Sequence, residues 1–251
     1  MYNFFADASA RAGDTFRITG ADHNHIKNVL RMRTGDTFLV SCEGVSHLCR
    51  LEQLDDAAAA ARIVEEGYQD TELPVRICLF QGLPKADKME WILQKAVELG
   101  AAEIVPVEMR RCVMKLDEKR RDGKQSRWQA IAENAAKQSK RSVIPAVSGV
   151  LTYQQALERA RKTDLFLVPY ENKDGMRATR EALGQIRPGM TVGILIGPEG
   201  GFEESEIAAA LEAGGKTISL GRRILRTETA AVTAVGMCML QTEMNGSTEN
   251  E

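Results

Sequence analysis

From Pro74 onward, short and uniformly apolar segments alternate with segments of helical periodicity, and this alternation limits the possible folds most strongly. Strands without a polar face belong to sheets covered on both sides, and the intervening helices provide crossover connections. The pattern predicts an α/β domain with a mostly parallel sheet. The expected strands are 75–80, 103–107, 165–169, 190–196 and 216–220, and the expected helices are 88–100, 128–140, 152–161, 175–186, 203–213 and 228–243.

The first 72 residues have a different pattern. Short runs of β-type residues occur at 15–18, 36–42 and 46–51, and Glu43-Gly44 between the last two is typical of a hairpin turn. One helix is expected at 22–33, with Ile26, Val29 and Leu30 on its apolar face. These features predict a small β-barrel domain with one helix, followed by a polar linker that ends at Pro74.

Composition sets broad limits on function. The chain has 251 residues, 43% of them hydrophobic and 27% charged, with a net charge of -2, which excludes a disordered chain and a uniformly basic binder. No apolar stretch approaches the roughly 20 residues of a membrane span, and no signal peptide is recognisable, so a cytoplasmic protein is expected. Five cysteines without a C-x-x-C pair predict reduced, buried thiols, and three histidines argue against a structural metal.

Charge is distributed unevenly along the chain. Residues 110–141, which we call the basic strip, contain eleven basic and four acidic residues, a net charge of +7. The rest of the chain therefore sums to -9, because the total is -2. Such a segment is either a solvated helix face or a surface that binds a polyanion.

Residues 197–203, the glycine loop, follow the predicted strand 190–196 and precede a predicted helix. Its sequence, Gly-Pro-Glu-Gly-Gly-Phe-Glu, permits tight turns and close approach of a ligand to the backbone. It is neither a dinucleotide fingerprint nor a P-loop. The glycine loop is therefore either a ligand site beyond the carboxyl end of a strand or a simple turn that places Glu203 and Glu204 at a helix N-terminus.

Residues 221–226, the arginine loop, follow the predicted strand 216–220 and contain Arg222, Arg223 and Arg226 around two large apolar residues. Thr227 is expected to cap the next helix, and Glu228 suits its first turn. Three arginines at a strand end either balance a charged ligand or pair with carboxylates of the chain.

Together the two loops resemble the C-terminal signature of the RsmE family, SPOUT-class methyltransferases that act on N3 of a uridine in small-subunit ribosomal RNA. Three further stretches agree in order along nearly the whole chain. They are 25–31 with Gly35-Asp36, 88–100 with its 94–100 run, and 138–141 with Pro145. Asn3 and Lys137 depart from the family pattern in regions expected to face RNA.

The resemblance implies an N-terminal PUA-like β-barrel RNA-binding domain, 1–72, and a C-terminal SPOUT-type α/β trefoil-knot methyltransferase domain, 73–251. It also implies S-adenosyl-L-methionine as cofactor, 16S rRNA within the small ribosomal subunit as partner, and a homodimer with cofactor sites at the subunit interface. Neither a metal nor a membrane is implied.

The resemblance also assigns roles to residues. Arg226 is expected to stabilise the developing uracil anion, and Glu199 is a candidate proton acceptor, as are Glu228 and solvent. The expected cofactor-binding residues are Leu195, Ile196, Gly197, Pro198, Gly200, Gly201, Leu220, Gly221, Ile224 and Leu225. The expected RNA-binding residues are Arg31, Arg110, Arg111, Lys137, Gln138 and Arg141.

Three other functions are weighed against this one. A related SPOUT enzyme would methylate a ribose 2′-hydroxyl, and a non-catalytic ribosome-assembly protein would use the basic strip without turnover. The loop sequences argue against both. A nucleotide-dependent dehydrogenase is remote because the dinucleotide fingerprint is absent.

Overall fold

The computed structural model describes residues 1–85, 87–114, 118–170 and 175–246. The chain forms two compact units. The first comprises Met1–Glu72 and Ala136–Ile144, and the second comprises Leu73–Ala135 and Pro145–Glu251. The chain thus enters the second unit at Leu73 and returns to the first for one short segment, a return that no sequence pattern indicated.

The first unit is built on a mixed six-stranded sheet. Its strands are β1 (Asn3–Phe5), β2 (Arg11–Ala12), β3 (Thr15–Ile18), β4 (Thr37–Cys42), β5 (Val45–Leu54) and β6 (Ala59–Glu65), in the order β1-β4-β5-β6-β3-β2. β1 is parallel to β4, and the other pairs are antiparallel. The three predicted strands are confirmed as β3, β4 and β5, whereas closure into a PUA-like barrel stays a prediction.

The predicted hairpin between β4 and β5 is also confirmed. Cys42 pairs with Val45, and the two turn residues, Glu43 and Gly44, both have positive φ, 50° and 82°. A two-residue hairpin turn whose twist matches the strands needs positive φ at both central positions, which explains the glycine.

The predicted helix of the first unit is shorter than expected. Helix α1 (Gly20–Asn24) continues into a π-helical turn, His25–Val29, where the N–H of Leu30 donates to the carbonyl of His25. A π turn holds more residues than an α turn, so the apolar spacing no longer points to one side. Ile26 is fully buried, but Val29 is 62% exposed, and its predicted place in the core was wrong.

The second unit contains a seven-stranded sheet in which every pairing is parallel, as predicted. Its elements are β7 (Arg76–Gly82), α2 (Lys88–Glu98), β8 (Ala101–Glu108), α3 (Glu118–Ser139), β9 (Ala146–Val147), β10 (Leu151–Thr152), α4 (Tyr153–Ala160), β11 (Leu165–Pro169), α5 (Gly175–Leu183), β12 (Thr191–Ile196), α6 (Glu204–Glu212), β13 (Lys216–Ile218) and α7 (Thr227–Gly246). The main strand order is β10-β8-β7-β12-β11-β13, and β9 pairs with β8.

Helix α2 shows how directly spacing predicts burial here. Its predicted apolar stripe, Met89, Ile92, Leu93, Ala96 and Val97, is buried throughout, with no residue more than 1% exposed. The Thr152 N-cap of α4 is confirmed as well, because its hydroxyl accepts from the N–H of Gln155 in a capping box.

Helix α3 begins at Glu118, ten residues before the predicted start. The added turns are highly charged and have little apolar periodicity, so the pattern could not indicate them. Two of their arginines are held by carboxylates outside the helix, Arg121 by Glu108 and Arg127 by Glu90. Tertiary ion pairs therefore accompany a helical extension that hydrophobic spacing did not reveal.

Three other observations concern the sequence expectations. All five cysteines are buried and free. Among the helices described, none combines the length and apolarity that a bilayer crossing needs. Within the described part of the chain, no three His, Cys, Asp or Glu side chains gather as a metal-binding group.

Candidate active site

The glycine loop follows β12 and the arginine loop follows β13, so both leave the carboxyl edge of the parallel sheet. Only β11 separates these two strands in the strand order. Tyr170, directly after β11, packs its ring edge against Phe202, with centroids 6.3 Å apart. The two predicted loops therefore occupy the crevice at which open α/β sheets bind ligands.

A hydrogen-bond relay holds the start of the glycine loop. The amide Nε2 of Gln81, at the end of β7, donates to the Thr227 hydroxyl over 3.0 Å, and that hydroxyl donates to the Gly197 carbonyl over 2.6 Å. The carbonyl of Gly197 precedes Pro198 and lies where the chain leaves β12. The relay thus ties β7, the glycine loop and α7 together.

The prediction that Thr227 caps α7 from outside the helix was wrong. Thr227 is the first helical residue, and its hydroxyl bonds with Gln81 and Gly197 replace the expected bond to its own helix. A cap is predicted from the residue types around a helix start. This prediction failed because the two partners of the Thr227 hydroxyl lie far from it in the sequence.

Two glycines allow the tight packing around the loop. A Cβ on Gly82, the last residue of β7, would lie 2.8 Å from the backbone nitrogen of Pro198. A Cβ on Gly200 would lie 2.8 Å from the Cβ of Arg111, whose guanidinium donates to the Gly200 carbonyl over 3.1 Å. Arg111, predicted to bind RNA, therefore supports the glycine loop.

Glu199 is held at the centre of the site. Its Oε1 accepts from the N–H of Lys85 over 3.0 Å and lies 3.2 Å from the Lys88 ammonium, which also lies 3.1 Å from Oε2 of Glu228. Burial alone would raise the pKa of Glu199, but the Lys85 N–H and the Lys88 ammonium outweigh it and hold that pKa below its ordinary value. Glu199 is therefore ionised at neutral pH and a weak proton acceptor.

Several features leave room for a ligand against the backbone. Gly201 and Gly221 have positive φ, 69° and 110°, and no heavy atom lies within 4 Å of the position of a Cβ on either. Gln81 is fully buried, yet its Oε1 has no hydrogen-bond partner among the described residues. Open space beside two glycines and an unpartnered buried acceptor fit a small ligand with hydrogen-bond donors, such as S-adenosyl-L-methionine.

The other predicted cofactor-binding residues fall into three groups. Leu195, Ile196 and Pro198 are buried, Leu220 and Leu225 are half-buried, and Ile224 is fully exposed, with a relative exposure of 102%. The three buried residues lie at the end of β12 and the start of the glycine loop, so their side chains pack into the protein interior. Of the two large apolar side chains in the arginine loop, Leu225 is partly packed and Ile224 extends into open space.

The three arginines of the arginine loop are exposed, and none forms an ion pair with a described residue. They are Arg222, Arg223 and Arg226. Because no carboxylate of the described chain neutralises them, their charge is available to a ligand. Of the two alternatives left open by the sequence, this arrangement favours the charged ligand.

The basic strip behaves differently. Most of its described cations pair with carboxylates: Arg110 with Glu203, Arg121 with Glu108, Arg127 with Glu90, Lys137 with Asp22 and Arg141 with Glu72. Lys115 and Asp117 lie outside the described residues, as do the side chains of Glu118, Lys119 and Arg120. The excess of +7 in the sequence thus overstates the charge that the strip presents to a partner.

Arg141, predicted to bind RNA, is buried within the first unit. It is 4% exposed, and its guanidinium donates to the carboxylate of Glu72. The same carboxylate accepts from the N–H groups of Ser142 and Val143 over 3.0 and 3.2 Å. This arrangement favours a structural role for Arg141, since its charge is already neutralised by Glu72.

The remaining predicted RNA-binding residues are more accessible. Gln138 and Arg31 are exposed, and Arg31 has a φ of 52°, uncommon for a residue other than glycine. Lys137 is half-buried against Asp22. Asn3, expected to face RNA, is instead 4% exposed, and its Nδ2 donates to the Arg141 carbonyl over 2.9 Å.

Sequence reasoning gave no role in shaping these regions to three residues that organise them, although Lys88 was noted on the polar face of its predicted helix. Gln81, Lys88 and Glu72 lie in a strand, at a helix start and in a polar linker, where their types are unremarkable. Lys88 alone carried a local signal, because a cation in the first turn of a helix opposes the helix dipole. A cation at an unfavourable helix position indicates that carboxylates from elsewhere in the chain pair with it.

Comparisons with known proteins agree with this geometry. Residues 71–239 match a family model described as an RNA methyltransferase domain. The ribosomal RNA small subunit methyltransferase E of Bacillus subtilis is 40% identical over 234 residues, which cover 92% of this chain and 91% of that protein.

Two solved structures are similar over almost their whole length. One is a ribosomal RNA small subunit methyltransferase E from Neisseria gonorrhoeae bound to S-adenosyl methionine (TM-score 0.79, 35% identity, 94% of this chain and 96% of that chain). The other is a putative methyltransferase from Legionella pneumophila in complex with the same cofactor (TM-score 0.82, 29% identity, 95% and 97%). With the match to the family model and the Bacillus relative, these similarities show that the chain belongs to the family of ribosomal RNA small subunit methyltransferases E.

Proposed function

We propose that this protein transfers a methyl group from S-adenosyl-L-methionine to N3 of one uridine in the 16S rRNA of the small ribosomal subunit. The observation that carries the proposal is the pairing of two loops at the carboxyl edge of the sheet. The glycine loop is held in place by its own chain, and the arginine loop beside it has three arginines that no described carboxylate neutralises.

The residues that would hold the donor are the backbone of the glycine loop, the backbone near Gly221, and the partly packed side chain of Leu225. The unpartnered Oε1 of Gln81 is placed to accept a hydrogen bond from a buried ligand. When bound, the donor supplies an electrophilic methyl group. By fixing both ends of the glycine loop, the chain orients its ligand before the reaction, which is how positioning lowers a displacement barrier.

Arg226 has the electrostatic role in this proposal. The N3–H of uracil is a poor nucleophile until its proton leaves, and the resulting anion needs a positive charge beside it. An exposed guanidinium without a neutralising carboxylate can stabilise that anion without first breaking an ion pair. Glu199, ionised and held by Lys85 and Lys88, serves better to shape the loop than to take the proton. Because N3 lies on the Watson–Crick edge, the target base is bound unpaired or flipped out.

The finer architecture is part of the same proposal. The mixed sheet of the first unit corresponds to a PUA-like β-barrel that positions RNA, and the second unit corresponds to a trefoil-knot domain. Two copies form a homodimer with donor sites at their interface, a role that suits the exposed Ile224. Arg31 and Gln138, which are both exposed, are predicted RNA contacts. Since the proposed substrate is ribosomal RNA, the proposed location of the protein is the cytoplasm.

A direct assay tests the function. The protein is incubated with methyl-labelled donor and small subunits that lack the modification, and the labelled nucleoside is identified after digestion. We expect label in 3-methyluridine at a single position. Label on a ribose 2′-hydroxyl would contradict the base assignment, and binding to subunits without any label would indicate an assembly protein instead.

A further inference from the structure

Lys88 connects three segments that are far apart in the sequence. It is the first residue of α2, and its ammonium lies 3.2 Å from Glu199 of the glycine loop and 3.1 Å from Glu228 in the first turn of α7. Their side chains are 30%, 26% and 17% exposed, so the contact is partly shielded from water. One cation thus connects the start of α2, the glycine loop and the start of α7.

Local helix energetics do not explain a lysine at this position. A cation in the first turn of α2 faces the positive end of the helix dipole, which is locally unfavourable. The two carboxylates offset that cost, and Glu228 is itself favourable at the start of α7. The placement of Lys88 is therefore explained by its tertiary partners.

Nor does global stability explain the cluster. Partly exposed ion pairs contribute little to the free energy of unfolding, because both charges are solvated in the unfolded chain. Their effect is local. Without Lys88, two carboxylates that now share one ammonium would repel each other, and Glu199 would keep its backbone bonds, including the one from the Lys85 N–H, but no cation. The glycine loop would then lose one of its anchors.

We infer that Lys88 is a positioning residue that holds the glycine loop and the start of α7 in the arrangement that binds the methyl donor. The inference rests on the proposed function and extends it to a residue outside both loops. Lys88 acts through Glu199 and Glu228. Its contacts add to the separate Gln81–Thr227 relay, which fixes the same loop at Gly197.

The test compares Lys88→Met with Lys88→Arg and with Lys95→Met. Lys95 lies two turns further along α2, and among the described residues it pairs only with Glu98 in the same helix, so Lys95→Met makes the same chemical change away from the site. Donor affinity is measured by calorimetry. Hydrogen exchange is followed in residues 198–203, where the Gly201 N–H donates to the Pro198 carbonyl over 2.9 Å.

We expect Lys88→Met to weaken donor binding about tenfold, which corresponds to about 1.4 kcal/mol. Exchange in 198–203 should quicken in the donor-free protein, and the midpoint of thermal unfolding should match that of Lys95→Met. Lys88→Arg should restore most of the affinity. In turnover assays, the KM for the donor should rise while the KM for small subunits stays the same.

The outcomes separate the inference from the proposed function. If Lys88→Met bound the donor as tightly as wild type, or left exchange in 198–203 unchanged, the inference would be overturned. Equal losses in Lys88→Met and Lys95→Met would overturn it too, because the effect would then belong to the helix as a whole. If wild-type protein bound no donor, the proposed function would fail, and with it the purpose assigned to Lys88.

Discussion

The basic strip and the arginine loop are both rich in arginine, but the fold uses their charges in opposite ways. Each described arginine of the strip forms an ion pair with a carboxylate from another part of the chain, and Arg141 is buried in its pair with Glu72. The arginines of the loop are exposed and pair with no described carboxylate. A net charge counted along the sequence therefore does not indicate the charge available to a ligand.

The difference changes where RNA contact is expected. Paired arginines contribute to the electrostatic field only weakly, because the partner carboxylate cancels most of their charge at a distance. An unpaired arginine keeps its full charge and can contact phosphate without losing a partner. The arginine loop, which lies beside the glycine loop, is thus a better candidate for substrate contact than most of the strip.

The largest effect is expected for Arg226→Ala. Loss of one group that stabilises a developing anion typically lowers kcat about 10²- to 10³-fold. Turnover is measured on small subunits that lack the modification, with donor affinity measured in parallel. Donor affinity should stay the same, and Arg226→Lys should retain part of the rate. Wild-type turnover in Arg226→Ala would refute the role of this arginine.

The next largest effect is on the stability of the fold, and it tests the paired arginines of the basic strip. Glu72→Ala leaves the buried guanidinium of Arg141 without its carboxylate, which should lower the free energy of unfolding by about 3 kcal/mol. The measurement is urea denaturation. Glu66→Ala removes a carboxylate that is 63% exposed in its pair with Arg11, so this matched control should cost less than about 0.5 kcal/mol. Equal costs would show that burial of the pair does not matter.

A smaller effect is expected when Arg222 and Arg223 are both replaced by alanine. If both contact phosphate, the KM for small subunits should rise about tenfold. The negative slope of log affinity against log salt should become shallower by about 2. Donor binding should not change. An unaltered salt slope would show that these arginines do not contact the RNA backbone.

The smallest effect is expected for Arg127→Ala, the matched change within the strip. Its guanidinium already pairs with Glu90 at 2.8 Å, so its removal should alter the KM for small subunits less than about twofold. A loss as large as that of the Arg222 and Arg223 double variant would mean that the ion pair opens on RNA and that the strip does bind RNA.

Much of the fold was predictable because its signals are local. Uniformly apolar runs and a period of 3.6 residues are properties of neighbouring positions, and they located five of the seven described parallel strands and the apolar face of α2, but not the two-residue strands β9 and β10. The failures occurred where the local rule changed. The π turn at His25–Val29 shifted Val29 out of the core, and the charged start of α3 had no apolar period to detect.

The candidate site was predictable to the same extent. The glycine and arginine loops could be located because glycine and arginine at strand ends are conspicuous in the sequence. The bonds that shape the loops could not be predicted. Gln81 and Thr227 are 146 positions apart, and no local pattern indicates that the amide of one donates to the hydroxyl of the other, which in turn donates to the Gly197 carbonyl.

The sequence by itself determined the alternation of strands and helices, the position of both loops and the family resemblance. Only the tertiary structure decided which charges are neutralised, because an ion pair depends on distance in space. Glu203 neutralises Arg110 from 93 positions away and Glu72 neutralises Arg141 from 69, whereas no described carboxylate pairs with Arg226. Coulomb interactions depend on separation and solvent exposure, and both are fixed only when the chain is folded.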